Sequence, residues 1–215
     1  MIDLYTWFTP NGRKVSLMLE ECGLDYTVHA INIGKDEQFT PEFLKISPNN
    51  KIPAIVDNDS GKSLMESGAI MMYLAEKSGK FWPQDPDNRW STVEWLMFQM
   101  GGVGPMFGQC HHFTKYNPGK APYAQERYLA ETRRLYGVMD RKLVKTAYLA
   151  CNEYTIADMA VWPWVARFDW QTVDLNEYPN VRRATCDPQG MECPRERSGN
   201  SYAMTGCVIN YQPII

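Results

Sequence analysis

The spacing of apolar residues changes character once along this chain, and that change constrains the fold more than any other feature. Residues 1–78 alternate short β-rich runs with helical stretches in the order βαβαββα. A segment rich in Pro, Asp and Gly follows at 79–90, and from there to about residue 183 the period is helical. We therefore expect an α/β domain over 1–78, a linker over 79–90 and an all-α domain over 91–183.

Local signals place the individual elements. Strands are predicted at IDLYTW, YTVHAINI, KIPAIVD and SLM, and helix one carries its apolar stripe through Cys22 and ends at Gly23. In the second half, one long helix is expected to loosen at Gly101-Gly102 and to kink near Pro105. Thr155 and Asp158 have the spacing of a capping box, and the apolar stripe after them, which includes Trp164, is interpreted as core.

Composition excludes several classes of partner. The net charge is −3 without a basic cluster, so we expect neither nucleic acid nor an anionic membrane as a partner. No apolar run reaches the ~18 residues of a membrane span, and MIDLYTWF lacks the features of a signal peptide. The six cysteines do not suggest a disulfide framework, which favours a cytoplasmic location. Adjacent His111 and His112 would point about 100° apart on a helix, so no metal site is expected.

Two short motifs suggest ligand binding. Pro53 lies within a predicted strand, where a proline is either an ordinary edge residue or a cis residue that leaves the preceding backbone free for an extended peptide. Its place in the βαβαββα order matches the cis-proline of the thioredoxin fold. Ser67 is interpreted as the N-cap of a helix, whose N-terminus also attracts a carboxylate, while Glu66 beside it offers a partner for an ammonium. Together they fit an amino-acid head group.

Five segments together resemble the soluble glutathione transferase superfamily. They are TPNG at 9–12, SPNNKIPAI at 47–55, ESGAIMMYLAEK at 66–77, GPMFGQCHHF at 104–113 and YTIADMAVWPWVARF at 154–168. The resemblance runs from Met1 to about Arg183 and is strongest to the nu class, bacterial and fungal relatives of a yeast nitrogen regulator. It implies a thioredoxin-like domain that binds glutathione, an α-helical domain that completes a second-substrate pocket, and a homodimer.

The first turn lacks the Cys-x-x-Cys pair of many redox proteins. Most of the superfamily places Tyr, Ser or Cys after strand one; here Tyr5 lies within the strand, not excluded as a reacting group, and the turn carries Thr9 and Asn11. This is the nu-class pattern, in which the thiol belongs to glutathione and the protein donates hydrogen bonds to its sulfur. The alternative is that Thr9 only caps helix one and Asn11 only holds the turn.

The resemblance also implies the remaining contacts. Gln38 is expected at the glycine end of glutathione, the Ile52 backbone before Pro53 at its cysteinyl part, and Arg127 across the dimer interface. Three functions remain open: disulfide reduction through glutathione thiolate, conjugation of glutathione to electrophiles, and a non-catalytic regulatory role. Cys22, on the apolar stripe of helix one, is expected to be a core residue.

Residues 184–215 depart from the family's pattern. Two prolines, Pro188 and Pro194, stand where relatives continue a helix, and the segment has no sustained period. A frame-shifted or replaced terminus would explain the break; a divergent but ordered ending is the alternative. We expect this tail to pack poorly, the protein to be less stable than its relatives, and truncation after Arg183 to cost little more.

Overall fold

The computed structural model describes residues 1–186, with the backbone of residues 203–204 and 207–208. The first part of the chain forms one four-stranded sheet in the order β2-β1-β3-β4, with β2 parallel to β1, and β3 antiparallel to both β1 and β4. Its strands are β1 (Ile2–Thr6), β2 (Tyr26–Ala30), β3 (Ala54–Asp57) and β4 (Lys62–Met65), and its helices are α1 (Pro10–Cys22), α2 (Pro41–Ile46) and α3 (Ser67–Ser78). This is the predicted βαβαββα order.

The second part of the chain is helical. It comprises α4 (Pro86–Phe98), α5 (Gly104–His111), α6 (Pro122–Leu143), α7 (Ile156–Val165) and α8 (Pro179–Cys186). The predicted interruption near Gly101-Gly102 takes the form of a π-helical turn at Gln99–Val103 that joins α4 to α5, and a second such turn follows at His112–Tyr116. None of the helices within the described residues is both long and apolar enough to cross a bilayer.

Helix ends follow the local chemistry of the sequence. Thr9 caps α1, with Pro10 in its first turn, and Gly23 closes it with a left-handed φ of 67°. At α7 the hydroxyl of Thr155 accepts from the backbone while the Asp158 carboxylate accepts from the N-cap backbone, so the capping box is confirmed.

Several boundaries differ from the sequence prediction, and β2, for example, ends at Ala30 although the predicted strand runs to Ile33. Strand β3 begins only at Ala54, because Pro53 carries no backbone N–H, and the Ile52–Pro53 bond is cis. Helix α4 starts at Pro86 behind an Asp85 N-cap, so the predicted linker is helical from Pro86 on. Helix α3 has Glu66 at its N-cap, and Ser67 is the first helical residue.

One apolar core joins the two parts of the chain. It contains Leu4 of β1, Met18 of α1 and Ile70 of α3, together with Ile156 and Met159 from the first turns of α7. A second core, around Phe107, Leu135 and Trp164, holds the remaining helices together. Because α7 contributes to both cores, its position relative to the first turn of α1 is fixed by burial.

The predictions for the tail fall mostly outside the described residues. Helix α8 continues to Cys186, three residues past Arg183. Later in the chain, two short strands pair antiparallel, β5 (Ala203–Met204) and β6 (Cys207–Val208). Poor packing of the tail and its small contribution to stability stay predictions.

Candidate active site

Two adjoining cavities lie where the first turn of α1 faces the helices of the second part. The first has a volume of about 580 Å³ and contains the side chains of Lys14, Glu66, Ser67 and Gln99 in its lining. The second has a volume of about 620 Å³ and is lined mainly by the strand-one turn, Gln38 and residues of α5 and α7. The boundary between the two spaces is marked by the residues that line both, which are Asn11, Lys51, Ile52, Gly108 and Trp164.

The Asn11 amide has a defined orientation at this boundary. Its Oδ1 atom accepts a hydrogen bond from Nε1 of Trp164 at 3.2 Å. An indole N–H can only donate, so Asn11 must present oxygen to Trp164 and the NH₂ group on its other side. Asn11 therefore keeps its NH₂ group as a hydrogen-bond donor, and the residue lines both cavities. The sequence analysis placed Trp164 in the core; it is 7% exposed, but it also orients a predicted site residue.

Thr9 caps helix α1, as its alternative interpretation held, and this capping role is compatible with donation of a hydrogen bond to a ligand. Its Oγ1 accepts from the backbone N–H of Gly12 at 3.1 Å, which caps α1. Accepting uses a lone pair and leaves the hydroxyl proton to donate elsewhere. Thr9 lines the second cavity at the positive end of α1, where an anion is stabilised.

Glu66 and Ser67 lie side by side in the first cavity. Glu66 has a left-handed φ of 69°, an uncommon conformation for a non-glycine residue, and its side chain makes no capping bond to α3. Asn49 donates to its Oε1 at 3.4 Å. The first N–H groups of α3 have no intrahelical acceptor, so the cavity combines a carboxylate, a hydroxyl and the positive end of a helix.

Lys14 is the main residue that the sequence analysis missed. It is 1% exposed, and its ammonium contacts Oε1 of Gln99 at 2.6 Å, Oγ of Ser67 at 3.3 Å and Sδ of Met100 at 3.5 Å. Burial lowers the pKa of Lys14 to about 7, and the charge of Glu66 opposes the shift. The sequence held a signal: Lys14 precedes Met18 by four residues, which puts a charged side chain on the buried face of α1.

Of the other predicted site residues, some line the cavities and one does not. Ile52 lines both cavities and Pro53 the first, while Gln38 lines the second, its Oε1 buried without a partner among the described atoms. Arg127 is exposed on α6 and is not part of the lining of either cavity. That Arg127 reaches a neighbouring subunit's site stays a prediction.

Neither Tyr5 nor the described cysteines lie at the junction. The Tyr5 ring stacks on His29 with centroids 4.6 Å apart and lines neither cavity. Cys22 is 5% exposed and hydrogen-bonded to Ser78, and burial raises the pKa of its thiol. Burial also raises the thiol pKa of Cys110. Among the residues that the structure describes, no cluster of three metal-ligating side chains occurs.

The wall of the second cavity formed by α5 and α7 is aromatic and partly cationic. His111 stacks on Trp164 with ring centroids 5.8 Å apart, and Arg167 lies nearby in the lining. Gln171 donates from Nε2 to the Trp164 carbonyl and to Nε2 of His111, both at 3.0 Å, so this ring nitrogen of His111 is an acceptor. Burial lowers the pKa of His111 to about 4, so the ring is neutral at physiological pH.

Comparison with known families identifies this arrangement. Residues 1–76 match the model of the glutathione S-transferase N-terminal domain, and residues 122–183 match that of the C-terminal domain. The chain belongs to the glutathione transferase superfamily. Its thioredoxin-like first domain and helical second domain are those of the glutathione transferase fold, as the sequence predicted.

Two relatives of this chain, both proteins of Escherichia coli strain K12, have disulfide chemistry in their names. Disulfide-bond oxidoreductase YfcG is 52% identical over 187 residues, covering 85% of this chain and 87% of the relative. Disulfide-bond oxidoreductase YghU is 43% identical over 197 residues, covering 85% and 68%.

Solved structures of other glutathione transferases superimpose closely. A Pseudomonas putida enzyme with one glutathione disulfide bound per subunit has a TM-score of 0.80 at 45% identity, covering 86% of this chain and 84% of that one. A Pseudomonas fluorescens family member with two glutathione molecules bound has a TM-score of 0.79 at 44% identity, covering 86% of both chains.

Proposed function

We propose that the protein is a glutathione-dependent thiol–disulfide oxidoreductase that uses the thiol of glutathione in place of a protein cysteine. The observation that carries the proposal is the Asn11 amide at the junction of the two cavities, where its oxygen accepts from Trp164 and its NH₂ group remains as the donor. A donor fixed at that point suits a sulfur anion. The names of the two relatives from Escherichia coli point to the same chemistry.

Glutathione would have its γ-glutamyl part in the first cavity, its sulfur at the junction and its glycine end in the second cavity. We assign its γ-glutamyl ammonium to Glu66, its α-carboxylate to Ser67 and the start of α3, and its cysteinyl part to the Ile52 backbone. Gln38 is assigned to the glycine end. The family resemblance also assigns Arg127 of a partner subunit to this site, so the proposal includes a homodimer.

Activation of the thiol follows from electrostatics. A free thiol has a pKa of about 8.5, so little thiolate exists at neutral pH. Donation from the Thr9 hydroxyl and the Asn11 amide, together with the positive end of α1, stabilises the anion and lowers that pKa. The pKa of the Cys22 thiol is shifted in the opposite direction by its burial.

The reaction consists of two exchanges. The bound glutathione thiolate attacks one sulfur of a disulfide held in the second cavity, forming a mixed disulfide and releasing the other sulfur as a thiolate that takes up a proton. A second glutathione thiolate then attacks the glutathione sulfur of the mixed disulfide, producing glutathione disulfide and releasing the second substrate thiol. Two electrons pass from two glutathione molecules to the substrate.

Conjugation of glutathione to electrophiles is the second candidate. The lining of the second cavity includes Trp7, Phe8 and Tyr116, which provide aromatic surface for an apolar acceptor. Attack on carbon would need the same thiolate, so the two reactions differ in what the second cavity accepts.

A side-by-side assay decides between the candidates. The full chain is given glutathione with a small symmetric disulfide, such as 2-hydroxyethyl disulfide, or with 1-chloro-2,4-dinitrobenzene. We expect turnover of the disulfide to dominate; faster conjugation would favour the second candidate. Saturable glutathione binding without either reaction would support the non-catalytic role. The nu-class assignment and the cytoplasmic location stay predictions, and a gel-filtration mass twice that of the chain would support the homodimer.

A further inference from the structure

Lys14 and Gln99 form a buried pair directly behind Ser67, although they come from different parts of the fold. Lys14 projects from the second turn of α1, and Gln99 opens the π-helical turn that links α4 to α5. The two side chains meet at 2.6 Å, with Lys14 1% exposed and Gln99 fully buried. Helix α1 is thereby tied to the second part of the chain at the floor of the first cavity.

The contact between Lys14 and Ser67 determines the direction of the serine hydroxyl. An ammonium has three donors and no acceptor, so at 3.3 Å the Ser67 oxygen must be the acceptor. The hydroxyl proton of Ser67 then has to point away from Lys14. The Ser67 hydroxyl donates this proton to Sδ of Met100, with Oγ and Sδ 3.7 Å apart. Sulfur is a weak acceptor, which an incoming carboxylate oxygen readily replaces.

Burying Lys14 is unfavourable by itself, so its retention at this position needs an explanation. An ammonium removed from water loses hydration, and its acceptors Gln99 and Ser67 are neutral. The charge of Glu66 gives partial compensation, since it opposes the lowering of the Lys14 pKa. A second anion bound beside Ser67 would complete that compensation.

Gln99 also has one unused group at the cavity. Its Oε1 accepts from Lys14, so the opposite end of the amide is Nε2, and this atom is buried without a partner among the described residues. Glycine at position 104 leaves room for this amide group, because a Cβ placed there would lie 2.8 Å from the Gln99 nitrogen. A buried, unpaired donor next to a buried cation is an arrangement that suits an anionic ligand.

We propose that Lys14, held by Gln99, is the positioning residue for the α-carboxylate of the γ-glutamyl group: it orients the Ser67 hydroxyl as a donor and supplies the positive charge behind it. This inference rests on the proposed function, because it presupposes that the γ-glutamyl part of glutathione occupies the first cavity. Selection for a free amino-acid head group would then depend on a residue of α1 and on the second part of the chain, as well as on α3.

The test pairs a protein change with a matching ligand change. Lys14→Met keeps the length of the side chain and removes the charge, and 4-aminobutanoyl-cysteinyl-glycine is glutathione without its α-carboxylate. Dissociation constants of both ligands are measured by calorimetry for wild type and variant. We expect the variant to bind glutathione about tenfold or more weakly and the decarboxylated ligand within about twofold of wild type.

Two controls separate fold damage from loss of the interaction. Lys77→Met removes a lysine that pairs with buried Asp57 and lines neither cavity, and should leave both dissociation constants unchanged. Lys14→Gln keeps a polar donor without the charge and should show the same selective loss if the first variant does not fold.

Equal weakening of both ligands by the Lys14 variants, or no weakening of either, overturns the inference while the proposed function stands. Failure of wild type to bind glutathione overturns the proposed function itself.

Discussion

Trp164 donates its indole N–H to Oδ1 of Asn11 at 3.2 Å, although 153 residues separate the two along the chain. The contact connects α7 of the second domain to the first turn of α1. Its consequence is chemical, because it decides which end of the Asn11 amide faces the place where we expect sulfur chemistry. Asn11 and Trp164 therefore act as one unit, and their substitutions should not have additive effects.

Asn11→Asp should be more damaging than Asn11→Ala. The carboxylate can still accept from Trp164, but it places a second anionic oxygen where the amide donates, which raises the pKa of the bound glutathione thiol. Losing an oriented donor costs on the order of 10²-fold in rate, and somewhat less for diffuse sulfur. The measurement is the pH dependence of kcat/KM for disulfide reduction, which should move to higher pH in Asn11→Asp.

Trp164→Phe should weaken catalysis about tenfold while changing glutathione affinity little, since it frees the Asn11 amide without removing it. In a background of Asn11→Ala the same substitution should have almost no further effect. Fully additive losses in that double variant would contradict the coupling.

Cys22→Ala should keep disulfide reductase activity within about twofold of wild type. The thiol is buried, is hydrogen-bonded to Ser78 and lines neither cavity. Turnover of a small disulfide with glutathione is the readout, and Thr9→Ala, which should lower the rate, serves as the comparison. A dead Cys22 variant beside an active Thr9 variant would place the nucleophile on the protein.

Glu66→Ala and Ser67→Ala should each weaken glutathione binding. Each substitution removes one partner of a charged group, which is worth roughly 1.5–3 kcal/mol, or about ten- to a hundredfold in the dissociation constant. Calorimetry with glutathione checks this. Unchanged affinity in both variants would remove the first cavity as the head-group site.

The buried ammonium of Lys14 should leave a signature in the pH dependence of stability. Its pKa in the folded protein is about 7, below the value of 10.5 for an exposed lysine, so between these values the unfolded chain binds more protons. Stability from this group therefore rises as pH increases from about 7 toward 10.5. Glu66 is the charged neighbour that acts on it.

Urea unfolding of wild type and Lys14→Met at pH 6.5 and pH 9 isolates that contribution, because other groups cancel in the difference. We expect the free energy of unfolding of Lys14→Met, relative to that of wild type, to be higher at pH 6.5 than at pH 9. A difference that does not change with pH would show that the Lys14 pKa is not lowered.

Asp158→Ala should destabilise the fold without a specific effect on the site. The carboxylate accepts from the backbone N–H groups of Leu149 and Thr155 at 2.8 and 3.0 Å, and both would be left buried and unpaired. Unpaired groups of this kind cost about 1–3 kcal/mol each. Thermal unfolding should show the loss, while the glutathione dissociation constant measured well below the new Tm should not change.

The sequence by itself determined the local elements of this protein. Thr9-Pro10 and Gly23 delimit α1, the Thr155–Asp158 spacing specifies a capping box, and the β-branched runs specify strands, because each of these signals acts within a few residues. The order of those elements predicted the βαβαββα sheet, and resemblance at short motifs located Glu66, Ser67 and the strand-one turn.

Only the tertiary structure decided what those residues contact. That Lys14 turns inward to Gln99, and that Trp164, a core residue as predicted, also binds Asn11, depends on how α1 packs against α7 and the π-helical turn. Hydrogen-bond partners 85 and 153 residues apart carry no periodic signal. These contacts follow from the burial of apolar faces, which fixes the position of the two halves of the chain relative to each other. Polar side chains that lie between the halves are then close enough to form hydrogen bonds.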